Sequence, residues 1–280
     1  MMAMGGNSLT VACVGFEVSG DIERNWRAIE RWTTRAADEG AELVHFPETA
    51  LTGYNRIHLK SMDDIDRGLL SRRCENIANL AAKRRVWIAY GSTHFEPEVA
   101  KPFNSLFLIG PEGKQVSRYD KIFLTETDSE AYSPGNHLAV TRIKNFTVGM
   151  TICFDMRFPE LFRRLSLVGA SLVLISSYQA GDPRAAHMRS VAPATLITRA
   201  SENGFYLSAS NTSQSPAWHE SMVLKFNGEV LAATRKHSPG MALVTLDAAD
   251  KEPFTDFIRA TARKVADGSH PLLDRPLGAG

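Results

Sequence analysis

Three side chains of chemically useful type stand where apolar segments stop abruptly. Glu48 follows His45-Phe46-Pro47, Lys121 follows Arg118-Tyr119-Asp120 and precedes Ile122-Phe123-Leu124, and Cys153 ends Val148-Gly149-Met150-Thr151-Ile152. In parallel sheets, functional side chains gather at the carboxyl ends of strands, where loops converge on one crevice. A free thiol, with a pKa near ~8.5, is mostly unreactive at neutral pH unless a base or a cation lies beside it. A carboxylate and an ammonium in the same crevice would supply both. Cys13 and Cys74 also sit in apolar patterns, but with no such partners, and read as small buried hydrophobes.

The elements that must carry these residues alternate along the chain. Thr10-Val11-Ala12-Cys13-Val14-Gly15-Phe16 is a nearly continuous apolar run, as a buried strand requires. Ile22, Trp26, Ile29, Thr33 and Ala36 then share one helical face over residues 21–39, and Gly40 is placed to end that helix. Further strands are predicted at residues 42–46, 86–91 and 104–109, with a helix over 65–83 burying Leu70, Cys74, Ile77 and Ala81.

The second half repeats this order. A strand over 146–153 precedes Pro159, a suitable first residue of a helix. Gly169-Ala170-Ser171-Leu172-Val173 echoes Gly40-Ala41-Glu42-Leu43-Val44, and Gly204-Phe205-Tyr206-Leu207-Ser208 parallels Arg85-Val86-Trp87-Ile88-Ala89. The strand over 222–226 with its Asn227-Gly228 turn parallels 104–113. Two β-α-β-α-β-β halves in tandem predict an α/β fold, two sheets face to face with helices outside. Glu48 and Cys153 are expected to end matching strands of the two halves. One domain over 9–247 is expected, followed by a tail over 248–280. That tail carries Pro253, Pro271 and Pro276, has one helix near 254–265, and docks on the body or on a partner subunit.

Composition narrows the function classes. A formal net charge of +1 over 280 residues offers no general attraction to nucleic acid or to a membrane surface. The most apolar segment, 166–176, is far shorter than the ~20 residues that span a bilayer. The amino terminus shows no signal-peptide pattern. Three widely spaced cysteines make no disulfide framework or metal-ligand spacing, and the eight histidines show no HExxH pattern. A cytoplasmic enzyme without metal or organic cofactor is the expectation.

Three motifs carry a family resemblance. His45-Phe46-Pro47-Glu48-Thr49-Ala50-Leu51-Thr52-Gly53-Tyr54 resembles the glutamate motif of the carbon–nitrogen hydrolase (nitrilase-like) superfamily. Tyr119-Asp120-Lys121-Ile122-Phe123-Leu124 resembles its lysine motif, and 149–160 around Cys153 its cysteine motif. Arg199-Ala200-Ser201-Glu202-Asn203-Gly204 is similar to a further segment of that family. The resemblance implies a four-layer α-β-β-α sandwich, paired as a homodimer or higher homo-oligomer.

It also implies roles. Cys153 is the nucleophile, Glu48 the general base, and Lys121 the partner of the oxyanion with help from the Phe154 N–H. A thioester on Cys153 would then be cleaved by water. A fourth acid between the lysine and Pro134-Gly135 positions the lysine and the water. Asp128 falls at the expected spacing and Glu130 two residues later, and Glu130 is preferred for its longer reach. Tyr54, Phe154, Arg157, Tyr178 and His187 are candidates to line the substrate pocket, although for Arg157 a structural ion pair with Glu160 is the preferred reading.

Phe154-Asp155-Met156-Arg157-Phe158-Pro159-Glu160 looks like the amidase and omega-amidase branches. A small linear carboxamide is therefore the expected substrate, followed by an N-carbamoyl amine and an aliphatic nitrile. Two rival classes are a non-catalytic interaction module and a Cys–His hydrolase using His137, His187 or His219.

Overall fold

A computed structural model describes residues 6–181 and 185–270. Residues 182–184, and 271–280, which include Pro271 and Pro276 of the expected tail, lie outside the described residues.

The first sheet is built from β1 (Ser8–Gly15), β2 (Leu43–His45), β3 (Trp87–His94), β4 (Phe103–Ile109) and β5 (Gln115–Asp120). The second contains β6 (Ala139–Ile143), β7 (Phe146–Ile152), β8 (Leu172–Ser177), β9 (Tyr206–Asn211), β10 (Met222–Leu224) and β11 (Val230–Ala233). A last strand, β12 (Gly240–Asp247), returns to the first sheet and pairs antiparallel with β1 from Ser8↔Asp247 to Gly15↔Gly240. The orders β12-β1-β2-β3-β4-β5 and β6-β7-β8-β9-β10-β11 are therefore equivalent, each with a parallel centre.

Both faces of each sheet are covered, which is why the strands read as continuous apolar runs. Val11 and Cys13 of β1, with Leu43 and Leu106, face Val148, Met150, Ile152 and Leu174 across the space between the sheets. The alternate residues Ala12 and Val14 face α1 (Ile22–Asp38) and α2 (Arg67–Arg84) on the outside. On the far side, α4 (Pro159–Leu167) and α5 (Met188–Asn203) cover β8 and β9 through Phe162, Leu165, Leu196 and Ala200. The layers run α-β-β-α.

The helices start where their caps permit. Asp21 Oδ1 accepts the N–H of Glu23 at 2.8 Å and of Arg24 at 3.1 Å, and all five residues expected on the inner face of α1 are buried. Asp66 caps Leu69, so α2 begins at Arg67, two residues later than its apolar pattern suggests, and Cys74 is only half-buried. The tail forms α6 (Pro253–Ala266), whose Thr255 and Arg259 side chains lie against Gly204 at the end of α5.

One expectation is corrected. β7 occupies in its sheet the place of β1, and β8 that of β2. Cys153 therefore follows the first strand of its half and Glu48 the second, so they do not end matching strands. Face-to-face packing of the sheets, rather than equivalence within them, brings the two together.

The glutamate segment rests directly on β3. Gly91 donates to Pro47 O at 3.2 Å and accepts from Leu51 N at 3.0 Å, and a Cβ there would lie 2.4 Å from Thr49 N and 2.5 Å from Pro47 O. Gly91→Ala is expected to lower stability by roughly 1–3 kcal/mol, the range for forced overpacking. Urea unfolding checks this, and an unchanged midpoint would count against so tight an apposition.

Candidate functional site

Each of the three candidate residues is fixed by a different element. Glu48 leaves β2 through Phe46-Pro47, and the following Thr49 adopts φ 49°. Lys121 follows β5, with its N–H on Asn104 O at 2.9 Å and its carbonyl accepting from Gly135 N at 2.8 Å. Cys153 follows β7 and opens a 3-10 turn, Cys153–Arg157, with φ 45°. A non-glycine residue at positive φ carries backbone strain, and such strain gathers at functional sites.

The side chains converge. Lys121 Nζ donates to Glu48 Oε1 at 2.9 Å and to Asp128 Oδ2 at 2.6 Å, and Lys121, Glu48 and Asp128 are all fully buried. Asn104 Nδ2 donates to the same Glu48 Oε1 at 2.7 Å, and the Tyr178 N–H holds Oε2 at 2.8 Å. The Tyr54 hydroxyl donates to Asp128 Oδ1 at 2.8 Å. The Cys153 thiol lies in the field of Glu48, Lys121 and Asp128 and against the backbone of Tyr178.

Burial and charge set the protonation states. Burial raises the Cys153 thiol well above its ordinary range, and the Glu48 carboxylate adds to that, while Lys121 opposes both. Burial also raises Glu48 against the pull of Lys121. For Lys121 burial alone would favour the neutral amine, but the Glu48 and Asp128 carboxylates prevail and raise its pKa. Asp128 is lowered, because Lys121 and the Tyr54 and Thr125 hydrogen bonds outweigh burial. The resting site thus holds a neutral thiol beside an ammonium flanked by two carboxyl groups.

The preference for Glu130 is overturned. Glu130 is half-exposed and pairs with Arg56 on the surface, while Asp128 takes the inward place. The cause is local: Thr125 caps α3 (Glu126–Ala131), its Oγ1 accepting from Asp128 N at 3.0 Å, with Asp128 Oδ2 accepting from Thr125 N at 3.3 Å. This capping box turns the shorter side chain inward. The Thr125-x-x-Asp128 spacing is the signal that could have found it.

Tyr54, Phe154, Arg157, Tyr178 and His187 all line one cavity of about 620 Å³ that opens onto Cys153. Tyr54 and Tyr178 stack with centroids 5.0 Å apart. Arg157 is exposed to the cavity, where its Nη1 meets Met188 Sδ at 3.6 Å, and among the described residues no ion pair joins it to Glu160. His137 lies on Arg118 O at 3.3 Å, and His219 is buried with its pKa pushed down to about 4 by desolvation. Among the described residues no group of three His, Cys, Asp or Glu side chains is placed to hold a metal, and no helix is long and apolar enough to cross a membrane.

Two supports escape sequence reasoning. Asn104 looks like any strand polar residue until β4 is seen to run behind Glu48. Asp155 is fully buried and joins three segments: Oδ2 accepts from Ile152 N and the Tyr119 hydroxyl, each at 2.8 Å, and Oδ1 from Phe123 N at 2.9 Å. It ties the turn after β7 to the chain on both sides of Lys121. Arg199 of the fourth motif adds a clamp, its Nε donating to Met156 O at 3.0 Å.

The chain belongs to the carbon–nitrogen hydrolase family, whose model matches residues 10–255. Family membership makes it a hydrolase of carbon–nitrogen bonds. It is 28% identical over 231 residues to a 2-oxoglutaramate amidase of Bacillus subtilis, covering 80% of this chain and 85% of that relative. It is 30% identical over 175 residues to a deaminated glutathione amidase of Yersinia enterocolitica, where the match spans 56% of this chain and 58% of the relative's length. In three dimensions it resembles an amidase from Nesterenkonia sp., with TM-score 0.77 and 23% identity over 94% of this chain and 98% of the other. Variants of that amidase have been seen with butyramide bound and with an acetamide group added covalently at the active-site cysteine.

Two outcomes follow for the buried charges. Asp128→Asn removes one partner of a buried ammonium and is expected to cost about 3 kcal/mol, whereas Glu130→Gln, losing only a surface pair, should cost under about 1 kcal/mol. Equal unfolding free energies for the two variants would contradict the assignment.

Burial raises the Asp155 carboxyl from an ordinary 3.8 to about 6, against the hydrogen bonds it accepts. A carboxyl whose folded pKa lies above its unfolded one stabilises the fold fully below about pH 4, and that contribution is lost as pH rises through 6. Unfolding midpoints measured between pH 4 and 7 should show this slope in the parent and a weaker one in Asp155→Asn. Parallel profiles would refute it.

Proposed function

We propose that the chain hydrolyses a small linear carboxamide to a carboxylic acid and ammonia through a thioester on Cys153. The observation that carries this reading is the fully buried Glu48–Lys121–Asp128 cluster placed behind a strained cysteine at the end of a 620 Å³ cavity. The amidase names borne by relatives point the same way.

The protonation states dictate the order of events. A thiolate beside Glu48 would be a second uncompensated anion, so Cys153 loses its proton only as Sγ bonds to the substrate carbonyl carbon. Glu48 takes that proton, and its raised pKa makes it a stronger base than an exposed carboxylate. The carbonyl π pair moves to oxygen, where Lys121 Nζ and the Phe154 N–H stabilise the developing charge. Glu48 returns the proton to nitrogen, the C–N bond breaks and ammonia leaves. Water then gives its proton to Glu48 and attacks the thioester; the C–S bond breaks and the proton returns to sulfur.

Asp128 holds Lys121 charged and aimed. The walls formed by Tyr54, Tyr178, Phe154 and His187 receive the acyl chain, and Arg157 is placed for an acidic group at its far end. N-carbamoyl amines are the second choice of substrate and aliphatic nitriles the third. A homodimer and a cytoplasmic location accompany this proposal, as does a single catalytic domain over 9–247 with its tail over 248–280.

Ammonia release from a panel of amides, carbamoyl compounds and nitriles, with intact-mass detection of an acyl adduct, tests the reading. An adduct is expected on Cys153 with amides, absent in Cys153→Ala. Glu48→Gln and Lys121→Met should each lower kcat at least about 100-fold, as loss of a general base or of an oxyanion partner does. Ammonia from nitriles alone, or full activity in Cys153→Ala, would sink it.

A further inference from the structure

Three fully buried polar side chains interrupt the apolar interface between the sheets just before the chain reaches Glu48. His45 ends β2, Ser176 lies in β8 and Ser208 in β9, on the inner faces that also carry Leu43, Leu174 and Tyr206. The imidazole spans the gap, with Nδ1 2.9 Å from Ser208 Oγ and Nε2 3.0 Å from Ser176 Oγ. Ser176 Oγ in turn donates to Phe46 O at 2.8 Å. A hydroxyl has one proton to give. With that of Ser176 committed to Phe46, Ser176 can only accept from the ring. Nε2 therefore carries the hydrogen, and Nδ1 accepts from Ser208. Burial, which pushes the imidazole pKa down to about 3, keeps the ring neutral in this tautomer. A buried polar network whose members are all satisfied rigidifies what it joins.

What it joins is the glutamate segment. Three consecutive residues at the end of β8 reach across to that segment. Ser176 Oγ holds Phe46 O, Ser177 O accepts from Glu48 N at 3.4 Å, and the Tyr178 N–H holds Glu48 Oε2 at 2.8 Å. His45 fixes the first of these bonds, because its own N–H fills the Ser176 oxygen and leaves the hydroxyl proton to Phe46. Neither His45 nor Ser176 lines the cavity onto which Cys153 opens.

Resting on the reading of Glu48 as the base in amide hydrolysis, we infer that His45 and Ser176 are positioning residues for Glu48. Their contact across the sheets sets the separation at which the Tyr178 N–H meets Oε2, and with it the aim of the carboxylate at the Cys153 thiol. A displacement of ~1 Å caused at a remote site can slow a reaction ~100-fold.

Steady-state ammonia release from a panel of amides is measured for the parent, His45→Leu, His45→Gln and Ser176→Ala, each checked for folding by urea unfolding. His45→Leu removes both ring contacts, whereas His45→Gln keeps an N–H where Nε2 stood. His45→Leu and Ser176→Ala should lower kcat at least ~10-fold with KM within about twofold, and His45→Gln should recover most of that loss. Loosening the Tyr178 hydrogen bond disfavours the charged carboxylate, so the acidic limb of kcat/KM should move to higher pH in His45→Leu. A purely structural pair would lower the unfolding midpoint while kcat and that limb stayed in place, which overturns the proposal. Should His45→Leu fail to fold, Ser176→Ala carries the same expectations. Alkylation of Cys153 by iodoacetamide, followed by peptide mass, separates this inference from the hydrolysis reading: the thiol proton passes to Glu48 as sulfur bonds to carbon and iodide leaves, with no amide turnover. A parent that alkylates Cys153 but releases no ammonia overturns hydrolysis alone. The pair then stands if His45→Leu or Ser176→Ala slows alkylation at least ~10-fold, and falls if the rate is unchanged or faster. A parent that does neither overturns both.

Discussion

A lysine ammonium with no exposure to water, gripped by two equally buried carboxyl groups, is the constraint on which the remainder of this protein depends. Removing each such charge from water costs several kcal/mol, and mutual attraction recovers this only when the geometry is good and the leftover lone pairs are satisfied. Glu48 meets that condition through Asn104 and Tyr178, and Asp128 through Tyr54 and Thr125. With all three ionised, the cluster carries one net negative charge. That excess adds to burial, the larger cause, in keeping the Cys153 proton in place.

Holding such a cluster requires rigid surroundings, and the neighbouring backbone is correspondingly overdetermined. Cys153 and Thr49 both sit at positive φ, a state that costs of order 1–3 kcal/mol each and persists only where neighbours enforce it. Asp155 enforces it for the cysteine turn, joining Ile152, Tyr119 and Phe123, and Arg199 grips the carbonyl of Met156. Gly91 lets the glutamate segment lie on β3 at a distance no side chain would permit. These contacts act on the reacting groups only through the chain that carries them.

Much of this is legible in the residues. Strands that alternate between two buried faces leave long apolar runs, and the duplicated order of strands and helices announces two sheets with helices outside. Glu48, Lys121 and Cys153 stand out because each interrupts such a run. What stays hidden is set by pairing between distant segments. β12 closes the first sheet against β1 across more than two hundred residues of chain, and nothing local in either strand encodes that partner. β5 is a half-exposed edge with polar residues, so its pattern is weak. Reach alone favours Glu130 over Asp128, although helix-start chemistry decides which carboxyl faces inward. Asn104 and Asp155 are ordinary residues whose importance arises only from what folds beside them.

The division between the sheets explains why site and fold cannot be separated here. The first sheet delivers Glu48, Asn104 and Lys121; the second delivers Cys153 and the Tyr178 N–H that holds Glu48. Cys153 itself belongs to the apolar cluster that cements the two sheets, together with Val11, Leu43, Val148 and Ile152. Either half alone would present a lysine and its carboxyl partners without the cysteine, or the cysteine without the charged cluster. The apolar core between the sheets is therefore also what fixes the spacing between the thiol and the buried charges, whereas the cavity walls come from loops at its edge. Packing of that core governs whether the chemistry is assembled at all, and the loops govern only what reaches it.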